Sequence, residues 1–102
     1  MIIIAKTSLL TFAKLYPASS EALNNWYETV RRCNWSNFSL IKETFNSVDA
    51  VGNDRFVFNI KGNSYRLVVM IHFNKRTIYI RFIGTHKEYD KTDCAKVQVE
   101  TL

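Results

Sequence analysis

From Arg55 to Gly84 the chain alternates apolar and polar residues, and two turn signals cut the stretch into three runs. In the first run Phe56, Phe58 and Ile60 share a side, with Arg55, Val57, Asn59 and Lys61 on the other. Gly62-Asn63 has the composition of a tight hairpin turn. In the second run Tyr65, Leu67, Val69, Ile71 and Phe73 alternate with Arg66, Val68, Met70 and His72. Asn74-Lys75 closes a second hairpin, since Asn tolerates positive φ. Ile78, Ile80 and Phe82 then alternate with Thr77, Tyr79, Arg81 and Ile83. A meander of this kind has one apolar face, and that face has to be covered.

The cover comes from the chain before it. Ile2, Ile3, Ile4 and Ala5 read as a short buried strand, because β-branched residues favour extended backbone. Thr7 or Ser8 caps a first helix whose apolar positions are Leu9, Phe12, Ala13 and Tyr16, and Pro17 ends it. Ser19 or Ser20 caps a second, with Leu23, Trp26, Tyr27 and Val30 at helical spacing. Its last turn carries Arg31 and Arg32, where cations suit the helix dipole. Ser36 or Asn37 caps a third, with Phe38, Ile41 and Phe45 inward. Residues 46 to 54 read as a polar loop. The expected architecture is one α+β domain over residues 1–102, an antiparallel sheet of three to four strands with two to three helices packed on one face.

The chain is 102 residues long, 47% hydrophobic and 23% charged, which suits a folded domain and excludes a disordered one. Its formal net charge is +5, which admits a polyanionic partner. Cys33, Cys94, His72 and His86 have no zinc-ligand spacing, so no metal or other cofactor is expected. The apolar start, Met1 to Ala5, lacks the basic flank of a signal peptide, and no apolar run spans a bilayer. A cytoplasmic protein without a membrane partner is the expectation.

Hairpin register predicts which residues meet. With turns at Gly62-Asn63 and Asn74-Lys75, Asn59 lies opposite Arg66, Phe58 opposite Leu67, Met70 opposite Tyr79, Val68 opposite Arg81 and Arg66 opposite Ile83. Every Arg then falls on one sheet face and every large aliphatic or Phe on the other. The open face would present Arg55, Asn59, Lys61, Arg66, Tyr79 and Arg81. Thr85-His86-Lys87-Glu88-Tyr89-Asp90-Lys91 follows the last strand beside Arg66. Such a surface suits RNA. Arg offers a bidentate fork to phosphate, and His, Tyr, Lys and Glu can move protons in metal-free cleavage by a neighbouring 2′-hydroxyl. Arg66 and Arg81 are the candidate phosphate clamps, His86 the acid or base, and Tyr89 a stacking or proton-transfer group. Arg55, Asn59, Lys61, Tyr79, Lys87 and Lys91 would bind RNA. Glu88 and Asp90 read as caps or ion-pair partners, His72 as structural, and Trp26 and Trp35 as core. A non-catalytic RNA-binding or regulatory module on the same surface fits the residues as well.

Val57-Phe58-Asn59-Ile60, Gly62-Asn63, Tyr65-Arg66-Leu67 and above all Tyr79-Ile80-Arg81-Phe82-Ile83-Gly84-Thr85-His86-Lys87-Glu88-Tyr89-Asp90-Lys91 resemble the HigB family of bacterial toxins. These belong to the RelE-like group of type II toxin–antitoxin systems. The resemblance implies a microbial-RNase-like fold and a ribosome-dependent mRNA endonuclease, an mRNA interferase that inhibits translation. It also implies restraint by a HigA-type antitoxin with a helix-turn-helix domain, through which alone the toxin would meet operator DNA. By position, Arg66, His86 and Tyr89 match the group's catalytic strand Arg, the basic residue after the last strand, and the following Tyr. The sequence departs where better-known RelE-type members carry strand lysines: Val57 and Asn59 stand there, and only Lys61 is nearby.

Overall fold

The computed structural model describes residues 1–90. The order of elements is β1 (Ile2–Ile4), α1 (Lys6–Leu15), α2 (Ser20–Arg32), α3 (Phe38–Thr44), β2 (Val48–Gly52), β3 (Arg55–Ile60), β4 (Tyr65–His72), β5 (Thr77–Thr85) and α4 (His86–Asp90). The strands form one five-stranded sheet in the order β1-β5-β4-β3-β2. The α+β class stands, with two corrections. The sheet is mixed, because β1 runs parallel to β5. It is also wider than expected, because β2 occupies most of the stretch read as a polar loop. Val48-Asp49-Ala50-Val51-Gly52 has too little apolar alternation to announce a strand. Its partner β3 supplies the pairing, and a bulge lies between Ala50 and Gly52. Positive φ at Gly52, Asn53 and Asp54 turns the chain back into β3.

Helices α1, α2 and α3 bury one face of the sheet, while Tyr89 of α4 packs against the other. Phe58 sits at the centre, its ring 5.4 Å from Trp26, 5.3 Å from Phe45 and 6.4 Å from Trp35. Leu23, Trp26 and Val30 of α2 and Ile41 of α3 are buried, as their spacing requires. Asn37 caps α3, its side-chain oxygen accepting from the Leu40 amide at 3.2 Å. Neither Thr7 nor Ser8 caps α1. The helix starts earlier, at Lys6, and Ala5 turns the chain out of β1 with φ 75°. Nor does Ser19 cap α2 with its side chain, because its hydroxyl donates back to the Tyr16 carbonyl at 2.7 Å in a short 3-10 turn. β1 is an edge strand and not buried: only Ile3 packs inward, while Ile2 and Ile4 are 60% and 43% exposed.

β3 and β4 pair as expected, with Asn59 opposite Arg66 and Phe58 opposite Leu67. β4 and β5 begin as expected, with His72 opposite Thr77 and Met70 opposite Tyr79, although Arg76 and not Asn74 takes the positive φ in their connection. The register then shifts. Val69 faces Ile80 but Val68 faces Phe82, so Arg81 is an extra residue in the ladder. Beyond it Leu67 faces Ile83 and Arg66 faces Gly84. The expected pairs Val68–Arg81 and Arg66–Ile83 do not form, and the alternation inverts. Ile83 joins the core under the helices, while Phe82 joins Val57 and Val68 in a second buried cluster on the far face. Large apolar side chains therefore occupy both faces of the sheet.

Candidate active site

The bulge at Arg81 builds the far-face site. Because the register has slipped by one, Arg66 stands opposite a residue with no side chain. The space above Gly84 is filled by Phe82: a Cβ on Gly84 would lie 2.6 Å from Phe82 Cζ and 3.1 Å from Glu88 Oε1, both too close. Phe82 packs with Val57 and Val68, and Val51 and Tyr89 lean on the same cluster. A small apolar floor thus lies beneath the polar residues of this face.

The segment after β5 is held by a reciprocal cap. Glu88 Oε1 accepts from the Thr85 amide at 2.8 Å, and Thr85 Oγ1 accepts from the Glu88 amide at 3.2 Å. This Thr-x-x-Glu capping box starts α4 immediately after the strand. The His86 amide also donates to the Ser64 carbonyl at 3.2 Å, tying the start of α4 to the β3–β4 turn. One turn of helix then carries Tyr89 back to the sheet. The Arg66 guanidinium lies over the Tyr89 ring, 5.7 Å from its centroid, while Arg66 Nη1 donates to the Asn63 carbonyl at 3.0 Å. Arg66 and Tyr89 are brought together, partly exposed, with His86 and Lys87 exposed beside them on α4. The capping role considered for Glu88 is the one the structure shows.

Arg81 lies over the Tyr79 ring at 5.3 Å, and His72 meets the same ring edge-on at 5.4 Å. The far face therefore carries two cation–aromatic pairs, Arg66 with Tyr89 and Arg81 with Tyr79, on either side of Phe82.

Three candidates sit differently from expectation. Arg55 is buried, 4% exposed, and its Nη1 donates to the Asn53 carbonyl at 3.0 Å, so it braces the β2–β3 turn and presents no open cation. Asn59 is bound to the Ser47 hydroxyl ahead of β2. Lys61 lies in the β3–β4 turn with φ 53° and lines shallow clefts with Ala22 and Asn25 of α2, at the helix side of the sheet edge. Lys91, Cys94 and the rest of the C-terminal stretch fall outside the described residues.

Hydrogen bonding to Arg31, 2.7 Å away on α2, lowers the Glu28 carboxyl below its ordinary value and raises the guanidinium. Among the described residues no group of three or more His, Cys, Asp or Glu could hold a metal ion, and no helix is long and apolar enough to cross a membrane. What the far face offers is fixed positive charge, an exposed imidazole and phenol rings around an apolar floor. That combination suits a phosphodiester flanked by bases. Sequence reasoning missed Phe82 and Gly84 as parts of this site. A glycine in the middle of an apolar strand was the one signal that something packs across the backbone there.

Comparison with known proteins gives consistent matches. Residues 19–92 match the model of the HigB toxin family, described as the RelE-like toxic component of a toxin–antitoxin system. The mRNA interferase toxin HigB of Escherichia coli strain K12 is 33% identical over 92 residues, 88% of each chain. The mRNA interferase HigB of Shigella flexneri matches to the same extent. The mRNA interferase HigB of Escherichia coli O6:H1 is 28% identical over 93 residues, 89% of this chain and 90% of that one.

Proposed function

The chain belongs to the HigB family of RelE-like toxins, and from that membership we propose how its far face cuts RNA. As the toxic component of a toxin–antitoxin system it is an mRNA endoribonuclease, in keeping with the mRNA interferases it resembles. The observation that carries the site is the Arg66–Tyr89 pair beside exposed His86, with Arg66 opposite Gly84, whose missing side chain leaves room for Phe82. Arg66, with Arg81 one strand over, binds the scissile phosphate and gains importance as charge builds on the phosphorane. His86 moves the proton of the attacking 2′-hydroxyl or of the leaving oxygen. Tyr89, its ring under Arg66, stacks on a base or donates its phenol to phosphate. Lys87 adds positive charge at the rim.

The reaction needs no metal in this reading, because the residues present supply both charge and proton transfer. The substrate is mRNA on the translating ribosome. The restraining partner is a HigA-type antitoxin with a helix-turn-helix domain, and the protein works in the cytoplasm.

Induction in cells and cleavage of mRNA in a purified translation system test this together. Wild type should arrest growth on induction, and in the purified system it should cut message only when ribosomes are present, with magnesium kept at the level the ribosomes need and a transition-metal chelator making no difference. Arg66→Ala should lose about a hundredfold or more in cleavage with an unchanged thermal midpoint. Toxicity equal to wild type in that variant would remove Arg66 from the site. In Tyr89→Phe, retained activity would assign stacking, and a large loss would assign the hydroxyl.

A further inference from the structure

The far face holds a second constellation, of which the proposed cleavage chemistry uses Arg81 alone. Tyr79 on β5 is flanked across the sheet by Met70 on β4 and by Ile4 on β1. His72 meets its ring edge-on and Arg81 lies over it. His72, Tyr79 and Arg81 are each partly exposed, and Ile4 and Ile2 continue the patch outward as exposed apolar side chains. Met70 is four residues along β4 from Arg66, roughly 13 Å at strand rise. A few nucleotides of extended single strand span that distance.

We propose that His72, Tyr79 and Arg81 form a base-binding subsite that sets nucleotide preference beside the cut; this rests on the reading of Arg66 and Tyr89 as the phosphate centre. The physical case has three parts. Edge-on His72 and the guanidinium fix the Tyr79 ring, so a stacking base meets a pre-ordered platform. Bases stack on aromatic rings and on Arg planes alike, each contact being worth about a tenfold or greater change in affinity. Arg81 also sits at the bulge, between the aromatic patch and Phe82, where one guanidinium reaches both a backbone phosphate and the stacked base. An acidic or apolar partner protein is the competing occupant. A cation-capped aromatic in line with a phosphate centre favours the nucleic acid.

The test uses the full chain and ribosomes programmed with a message that carries a single 2′-deoxy linkage at the cut site. A fluorescent adenine analogue is walked through the neighbouring positions. Wild type should quench the probe at one position a few nucleotides from the blocked linkage. Tyr79→Phe should keep the quench, Tyr79→Ala and Tyr79→Leu should abolish it, and His72→Ala should weaken it. Sequencing of cut ends should show the base preference at that same position flattened several-fold in Tyr79→Leu, which keeps the bulk of the side chain if the alanine variant fails to fold. Unaltered quenching and an unaltered preference in Tyr79→Leu would overturn the subsite. So would loss of quenching in Tyr79→Phe, or a variant that changes only antitoxin binding. The two readings separate cleanly: quenching without any cleavage of normal message sinks the endonuclease, whereas cleavage without quenching sinks the subsite alone.

Discussion

The β3–β4 and β4–β5 hairpins share a strand and differ in one residue. Along β3 and β4 every pair keeps the register set by the Gly62-Asn63 turn, and the two faces stay sorted. Along β4 and β5 the register set by the second turn holds only as far as Val69–Ile80, and Arg81 displaces everything beyond it. The regular hairpin makes core. The interrupted one makes the proposed site, since the slip puts Arg81 and Phe82 together on the far face, sends Ile83 to the core and sets Gly84 against Arg66. An extra residue therefore gives the far face one more side chain without taking one from the core.

That comparison can be broken most sharply by deleting Arg81. Removal leaves Ile80 and Phe82 adjacent, already in step with Val69 and Val68, so β5 should become a regular strand. Unfolding free energy should change by no more than about 2 kcal/mol, within the ordinary range for one alteration. Cleavage should fall about a hundredfold, the scale of losing one stabilising charge at a phosphate. Chemical denaturation and single-turnover cleavage read the two effects, and a deletion that unfolds the protein would mean the bulge holds the fold and not only the site.

Gly84→Ala acts on the same end of the hairpin. The new methyl meets Phe82 Cζ and Glu88 Oε1, and it should cost about 1–3 kcal/mol as overpacking does. Adding Phe82→Leu should return part of the loss, measured as a double-mutant cycle. Additive losses would show that the clash is relieved some other way.

Glu88 separates capping from chemistry. Glu88→Gln keeps an oxygen for the Thr85 amide and should retain both stability and cleavage, while Glu88→Ala should lose about 0.5–2 kcal/mol. Collapse of cleavage in the glutamine variant would make the carboxylate a proton carrier.

The smallest effect belongs to the regular side of the molecule. Arg31 lowers the Glu28 carboxyl on exposed α2, so the ion pair stabilises the fold above the carboxyl's unfolded value and is lost as pH falls through the folded one. Glu28→Gln should shift the thermal midpoint slightly at neutral pH and not at all in acid. A shift that persists in acid would assign the effect to packing.

Much of this was legible before the structure. The Phe56-Phe58-Ile60 and Leu67-Val69-Ile71 alternation, the Gly62-Asn63 turn, the Leu23-Trp26-Val30 spacing and the Asn37 cap each carry a local physical signal, and each appears in the fold. β2 was not legible, because Val48 to Gly52 is held by pairing with β3 and not by its own pattern. The bulge was silent because Phe82 and Ile83 are both apolar, and either can face a core. Arg55 looked like a surface cation, but its burial depends on a turn geometry that only positive φ at Gly52, Asn53 and Asp54 creates. Arg66 and Tyr89 lie together, as the placement of Tyr89 just past the last strand implied, and Gly84 was read as a break when it is a packing position.

The parallel pairing of β1 with β5 has a consequence in time. Ile2 finds Thr77 only after most of the chain has been made, so this contact closes a very long loop and should form late in folding. A late contact is absent from the folding transition state. Weakening it, by Ile3→Ala for instance, should speed unfolding while leaving the folding rate almost unchanged. During synthesis the same order applies: α1 to α3 and the first hairpin emerge before Arg81, His86 and Tyr89. Under the proposed assignment a nascent chain gains its site only once β5 and α4 have left the ribosome.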